Sequence, residues 1–145
     1  MSALIALLLT VPVIPVGETF TCTPTHVWDG DGPVWCDEGP RIRLSGIAAR
    51  ELDGTCSPGH PCPTADAIEA RDALVRLLGE PIGTSGQGHI LVRGPAMQCR
   101  SDGSGVGSRT AAWCVSPRGG DVNCAMVSGG WAARWDRYWK GHRCS

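Results

Sequence analysis

Eight cysteines in a 145-residue chain constrain the fold more than any other feature. The count is even and no C-x-x-C pair occurs, which disfavours zinc ribbons and redox dithiols and leaves disulfides as the natural reading. Disulfides imply an oxidising compartment. Sequential pairing is expected: Cys22 with Cys36, Cys56 with Cys62, Cys99 with Cys114, and Cys124 with Cys144. The first pair would bridge two strands across a turn, and the second would close a loop. The third would join two later strands, and the fourth would pin the tail to the last helix. Each bridge adds roughly 2 to 4 kcal/mol by restricting the unfolded chain.

The length suits one domain with one core. Residues 3–16 form an apolar run interrupted by Pro12 and Pro15, too short to span a bilayer comfortably and similar to the apolar part of a secretory signal. No Lys or Arg precedes it, and no small-x-small cleavage site follows. Residues 1–17 are therefore read as a signal peptide or N-terminal apolar leader, and residues 18–145 as the domain. A secreted or periplasmic location is expected, with no membrane contact beyond the leader. Net charge is -1, so bulk charge does not announce a nucleic-acid binder. Twelve Arg stand against a single Lys, Lys140. GC-rich coding would enrich Arg together with Gly and Ala, so the placement of individual arginines carries the argument.

Residues 28–53 organise the domain. Trp28-Asp29-Gly30-Asp31-Gly32 is a tight-turn signal, because Gly accepts positive φ and Asp bonds its own backbone. Arg41 to Ile47 then alternates: Ile42 and Leu44 share one face, while Arg41, Arg43 and Ser45 share the other. Carboxylates from the turn thus come near arginines from the strand, with Glu51 just past its end. Carboxylates can hold a hard cation, and arginines can clamp a phosphate.

Strands are expected over residues 19–28, 34–36, 41–47, 89–93 and 110–115. Residues 66–78 carry a helical apolar stripe (Ala67, Ala70, Leu74, Leu77, Leu78), with Thr64 as its N-cap, and Gly79 and Pro81 end it. Residues 83–88 read as a flexible connection and 100–108 as a mobile loop. Asp121 can cap a short second helix, and the tail from Trp131 is aromatic and basic. The expected fold is mainly β with helices: a five-stranded OB-type barrel with a helix between strands 3 and 4 and a C-terminal helix.

These residues resemble the staphylococcal nuclease (thermonuclease) family. Asp29-Gly30-Asp31, Ile42-Arg43-Leu44-Ser45-Gly46-Ile47 and Glu51 are similar to its D-G-D-T and I-R-L-x-G-I-D-A-P-E segments. Arg109-Thr110-Ala111 is similar to its G-R-T-V-A, and Asp121-Val122-Asn123 through Gly130-Trp131-Ala132 to its D-V-N-x-x-M-V-x-x-G-x-A helix. The resemblance runs from about residue 25 to residue 138. It implies a calcium-dependent phosphodiesterase that cleaves DNA or RNA. Asp31 would bind Ca2+, Arg43 and Arg109 would clamp the phosphate, and Glu51 would orient or activate water. Tyr138 would lie against a substrate base. A monomer with no stable protein partner is expected.

Three departures bear on the site. Ala48 stands where the family has a ligand Asp, Arg50 where it has Pro, and Gly32 where it has Thr. Ala48 favours a second reading, a catalytically weak or inactive nuclease-like barrel that binds nucleic acid without turnover. A disulfide-stapled interaction module is a third. Arg41 reads as a solvated strand residue, Met126 and Trp131 as core, and Trp135 and Trp139, four apart, as one packed helical face. His26, His60, His89 and His142 show no ligand spacing.

Overall fold

The computed structural model describes residues 10–144, so residues 1–9 of the expected leader, and Ser145, lie outside the described residues. Within the leader's remaining part, the Ile14 N–H donates to Thr110 Oγ1 and the Ile14 carbonyl accepts from Ser101 Oγ. No helix among the described residues is long and apolar enough to cross a membrane.

Among the described residues the fold is mixed, mostly strands with three helices. In chain order the strands are β1 Thr19–Cys22, β2 Pro24–Val27, β3 Val34–Cys36, β4 Arg41–Leu44, β5 Ile47–Ala48, β6 Glu80–Thr84, β7 Ile90–Arg93, β8 Met97–Ser104, β9 Arg109–Ser116, β10 Gly120–Asp121 and β11 Ala133–Arg134. The helices are α1 Ala67–Leu78, α2 Val122–Ser128 and α3 Asp136–Trp139. The main sheet has nine strands in the open order β1-β8-β9-β4-β3-β2-β7-β6, with β10 beside β9. A separate two-stranded ladder joins β5 to β11. The β4–β9 pair is parallel, and the other pairs are antiparallel.

Three departures raise the strand count above the expected five, and the two-residue strands β5, β10 and β11 add the rest. The expected first strand breaks at Thr23, because Pro24 has no N–H to continue a ladder. β1 then pairs with β8, while β2 pairs with β3 and β7. β8 covers much of the expected mobile loop and contains Gly103, where the register shifts against β9. β6 forms directly after the helix, its register shifting between Pro81 and Gly83. Turn-type residues inside both strands mark bulges rather than strand ends.

The core follows the alternation of the strands. Ile42, Leu44, Val27 and Val34 are fully buried beneath the sheet, together with Leu74 and Leu78 from α1 and Met126 from α2. α1 is capped by Asp66, not Thr64: its carboxylate accepts from the N–H groups of Ile68 and Glu69. All four disulfides form in sequential pairs, Cys22–Cys36, Cys56–Cys62, Cys99–Cys114 and Cys124–Cys144. Cys99 and Cys114 are direct partners in the β8–β9 register. No cysteine is free among the described residues, an arrangement consistent with an oxidising location.

Candidate functional site

The turn at residues 28–33 joins β2 to β3 and delivers both aspartates to one place. Asp29 Oδ1 accepts from the Asp31 N–H at 3.1 Å, and the Gly32 N–H donates to the Asp29 carbonyl at 3.2 Å. Between the aspartates, Gly30 is the only residue type that fits. A Cβ there would sit 2.9 Å from the Cβ atoms of both Ala49 and Ala70, so α1 and the residue that follows β5 press directly on the turn. Helix packing thereby fixes where the carboxylates point.

Asp31 is the hub of the cluster. Its Oδ2 accepts from the Ala49 N–H at 2.9 Å and from the Arg43 guanidinium at 3.3 Å. Arg43 is itself held: its Nη1 donates to the carbonyls of Leu44 and Ile47, the latter at 2.7 Å. Asp29 is only 3 % exposed. Burial first, and then the charge of Asp31, push its carboxyl up to about 9, with Glu51 adding a smaller repulsion. At neutral pH Asp29 is therefore a neutral acid hydrogen-bonded to Asp31.

Glu51 stands beside this pair but belongs to the following loop. Ser57 Oγ donates to Glu51 Oε1 at 2.8 Å, and the Glu51 N–H donates to the Thr55 carbonyl at 2.8 Å. Arg50 organises the same loop, with Nε on the Pro63 carbonyl and Nη1 on the Gly54 carbonyl, both at 2.8 Å. The Cys56–Cys62 disulfide closes it. The residue in the place of the family's proline thus acts as a latch on the loop that carries Glu51.

Arg43 opens into a cavity of about 260 Å³ whose walls include His60, Trp135, Tyr138 and Lys140. The Arg43 guanidinium lies 5.9 Å from the Trp135 ring. Trp135 meets Tyr138 edge-on at 4.7 Å and His60 at 4.3 Å. Tyr138 thus lines the same cavity as Arg43, as does Trp135, while Trp139 is buried against Trp113 at 5.3 Å. The two tryptophans expected to share one packed face therefore separate, one toward the cavity and one into the core.

Arg109 stands one step away. The parallel β4–β9 register sets Arg41 against Arg109 and Arg43 against Ala111. Arg109 lines a second groove with Arg41, Trp28, Trp35 and His89, and Val106 borders both hollows. Arg41, read from sequence as a solvated residue, stacks over the Trp35 ring at 3.9 Å. His26 and His89, read as ordinary, join this aromatic group. The outward alternation of β2, β3 and β4 hinted at a shared face, but only the register shows that these residues are neighbours.

The donor set was tested against the calcium ion that the resemblance implies. A calcium cage needs six to eight oxygens. Ala48 supplies none: it is fully buried in the β5–β11 ladder opposite Ala133. Asp31 Oδ2 is already taken by the Arg43 guanidinium and the Ala49 N–H, and Glu51 Oε1 by the Ser57 hydroxyl. These residues do not fit a calcium cage. Elsewhere Asp121, Cys124 and His142 converge, but the Cys124 sulfur is bonded to Cys144 and offers no thiolate. His142 instead hydrogen-bonds Asp121 at 2.7 Å and stacks on Trp113 at 3.9 Å, docking the tail.

Comparison with protein-family models, curated proteins and solved structures finds no match.

Proposed function

We propose that this chain is an exported module of the staphylococcal-nuclease type that binds the phosphodiester backbone of single-stranded DNA or RNA with little or no turnover. The finer expectation of an OB-type barrel belongs to the same proposal. The observation that carries it is the Arg43 cavity: a guanidinium at its floor, aromatic walls from Trp135 and Tyr138, and Lys140 at its rim. A guanidinium suits a phosphate, and aromatic faces suit bases. Binding without turnover follows from the neighbouring acids. Asp31 is paired with Arg43 and accepts from the Ala49 N–H, and a methyl group stands at Ala48.

A second reading, hydrolysis, is favoured by one observation: Glu51 lies close enough to the acid pair to perturb Asp29. In that reading Glu51 takes a proton from the attacking water, Arg43 and Arg109 offset the charge building on the phosphate, and Tyr138 supports a base.

The test uses the oxidised chain with labelled single-stranded DNA, with calcium, with magnesium or with chelator. Salt-sensitive binding that is independent of metal, with slow or no cleavage, is expected. Rapid metal-dependent cleavage abolished by Asp31→Ala would replace binding with hydrolysis. Ala48→Asp provides the converse. It places a carboxylate in a buried ladder, so the metal-free variant should melt earlier than the parent, and calcium should restore part of the loss.

A further inference from the structure

The groove beside the Arg43 cavity is built from four strands. The β2–β3 register sets His26 against Trp35, the β3–β4 register sets Trp35 against Arg41, and the β4–β9 register sets Arg41 against Arg109. The result is one outward row that ends in two adjacent guanidinium groups. His89, just before β7, closes the wall: its ring lies 4.5 Å from Trp35, 4.9 Å from Trp28 and 5.6 Å from His26. The hollow measures about 540 Å³, within the range of roughly 300 to 1000 Å³ common for small-ligand sites.

Its charge is unbalanced. Arg43, Arg71, Arg118 and Arg134 each have a carboxylate within salt-bridge distance, whereas neither Arg41 nor Arg109 has one among the described residues. The histidines add no cation at neutral pH, because burial above all holds both rings below their ordinary range, with Arg41 contributing. They are neutral π-surfaces. His89 Nδ1 is also buried with no hydrogen-bond partner. Cationic and aromatic surface is therefore concentrated where no acidic side chain answers it.

The groove is continuous with the first cavity through Val106. This side chain is 80 % exposed at the tip of the β8–β9 hairpin. Its φ of 96° is an outlier for a β-branched residue.

We infer that the Trp28–Trp35–Arg41–Arg109 groove seats a second nucleotide unit of a single-stranded nucleic acid whose adjoining unit occupies the Arg43 cavity. The inference rests on the nucleic-acid reading above. The base stacks on the Trp28 and Trp35 surface as Arg41 leaves its place over the Trp35 ring to meet, with Arg109, the phosphate between units, with Val106 between the two positions. An acidic peptide would use the two arginines but leave the aromatic wall without a planar partner.

The experiment measures binding of fluorescent eight-nucleotide oligothymidylate and of dithymidylate by anisotropy, for the parent chain, Arg41→Gln and Trp35→Leu. Both variants should bind the octamer about tenfold more weakly, the size of one lost stack or phosphate contact, and dithymidylate, which spans both units and the phosphate between them, should weaken alike. Arg41→Gln should also lower the salt dependence of octamer binding by about 0.7 in the logarithmic slope, while Trp35→Leu leaves that slope intact. A merely structural role would not separate the two variants in this way. Arg41 lies on the outer face, so its variant carries the test even if Trp35→Leu does not fold. Octamer binding unchanged in Arg41→Gln overturns the inference but leaves the nucleic-acid reading standing. A parent chain that binds neither oligonucleotide overturns both. An oligoglutamate that binds the parent and is lost in Arg41→Gln, with octamer binding kept, reassigns the groove to acidic peptides.

Discussion

Replacing Asn123 with Leu should unfold this protein more readily than any surface change, for reasons visible in its hydrogen bonds. Asn123 is fully buried on α2. Its Oδ1 accepts from the Cys114 N–H at 3.1 Å, and its Nδ2 donates to the carbonyls of Ser45 at 2.9 Å and Ala112 at 3.0 Å. β4 stops at Leu44, so the β9 backbone beyond it lacks a strand partner, and the Asn123 amide takes that place. In the variant the Ala112 carbonyl keeps the Ser45 N–H. The Cys114 N–H and the Ser45 carbonyl lose the partner they have here. Each unsatisfied buried group costs about 1 to 3 kcal/mol, so the loss is about 2 to 6 kcal/mol, against a typical total stability of about 5 to 15 kcal/mol. Guanidinium unfolding with the disulfides intact measures it. A midpoint change worth under about 1 kcal/mol would refute the reasoning, because it would mean that these backbone groups find other partners.

Two further outcomes follow from other parts of the molecule. Arg50→Ala removes both bonds that latch the Glu51 loop to the Gly54 and Pro63 carbonyls, so amide exchange across residues 51–63 should accelerate while the strands stay protected. Equal exchange in parent and variant would mean that the disulfide and the Glu51 bonds to Ser57 and Thr55 hold the loop without Arg50. The lowered affinities of His26 and His89 for protons fix a pH dependence. Their folded values lie below the ordinary 6.5, so the unfolded chain binds more protons as pH falls; their contribution is present above about pH 6.5 and is lost below it. The urea midpoint should therefore fall between pH 7 and pH 5, and less steeply in His89→Phe.

What could be read from sequence was what local chemistry decides. The cysteines pair in sequence order at short separations of 6, 14, 15 and 20 residues, with the last pair reaching from α2 across α3 to the tail. The Asp29–Asp31 turn and the alternation of Arg41 to Leu44 were legible for the same reason. The helix was legible in its stripe but not in its cap, because Thr64 and Asp66 are both competent acceptors. β8 was hidden by Gly103, Ser101 and Ser104, which read as loop and here occupy a bulged strand against β9. The second groove was least legible. It depends on β7 lying beside β2 and on β9 lying parallel to β4, and neither adjacency leaves a mark in the residues concerned.

The same registers explain why the acid cluster and the aromatic groove divide the labour of the site. At Asp31 every strong group has an internal answer. Its charge meets Arg43 and the Ala49 N–H, Arg43 meets two carbonyls, and Asp29 keeps its proton. A substrate phosphate arriving there must compete with Asp31 for Arg43. At Arg41 and Arg109 no carboxylate competes among the described residues; Arg41 rests on the Trp35 ring instead. Attraction between unpaired guanidinium groups and phosphate is therefore strongest at the groove, not at the acids. A strand held first by Arg41 and Arg109 would present its next phosphate to Arg43 at high effective concentration, the condition under which displacing Asp31 becomes favourable.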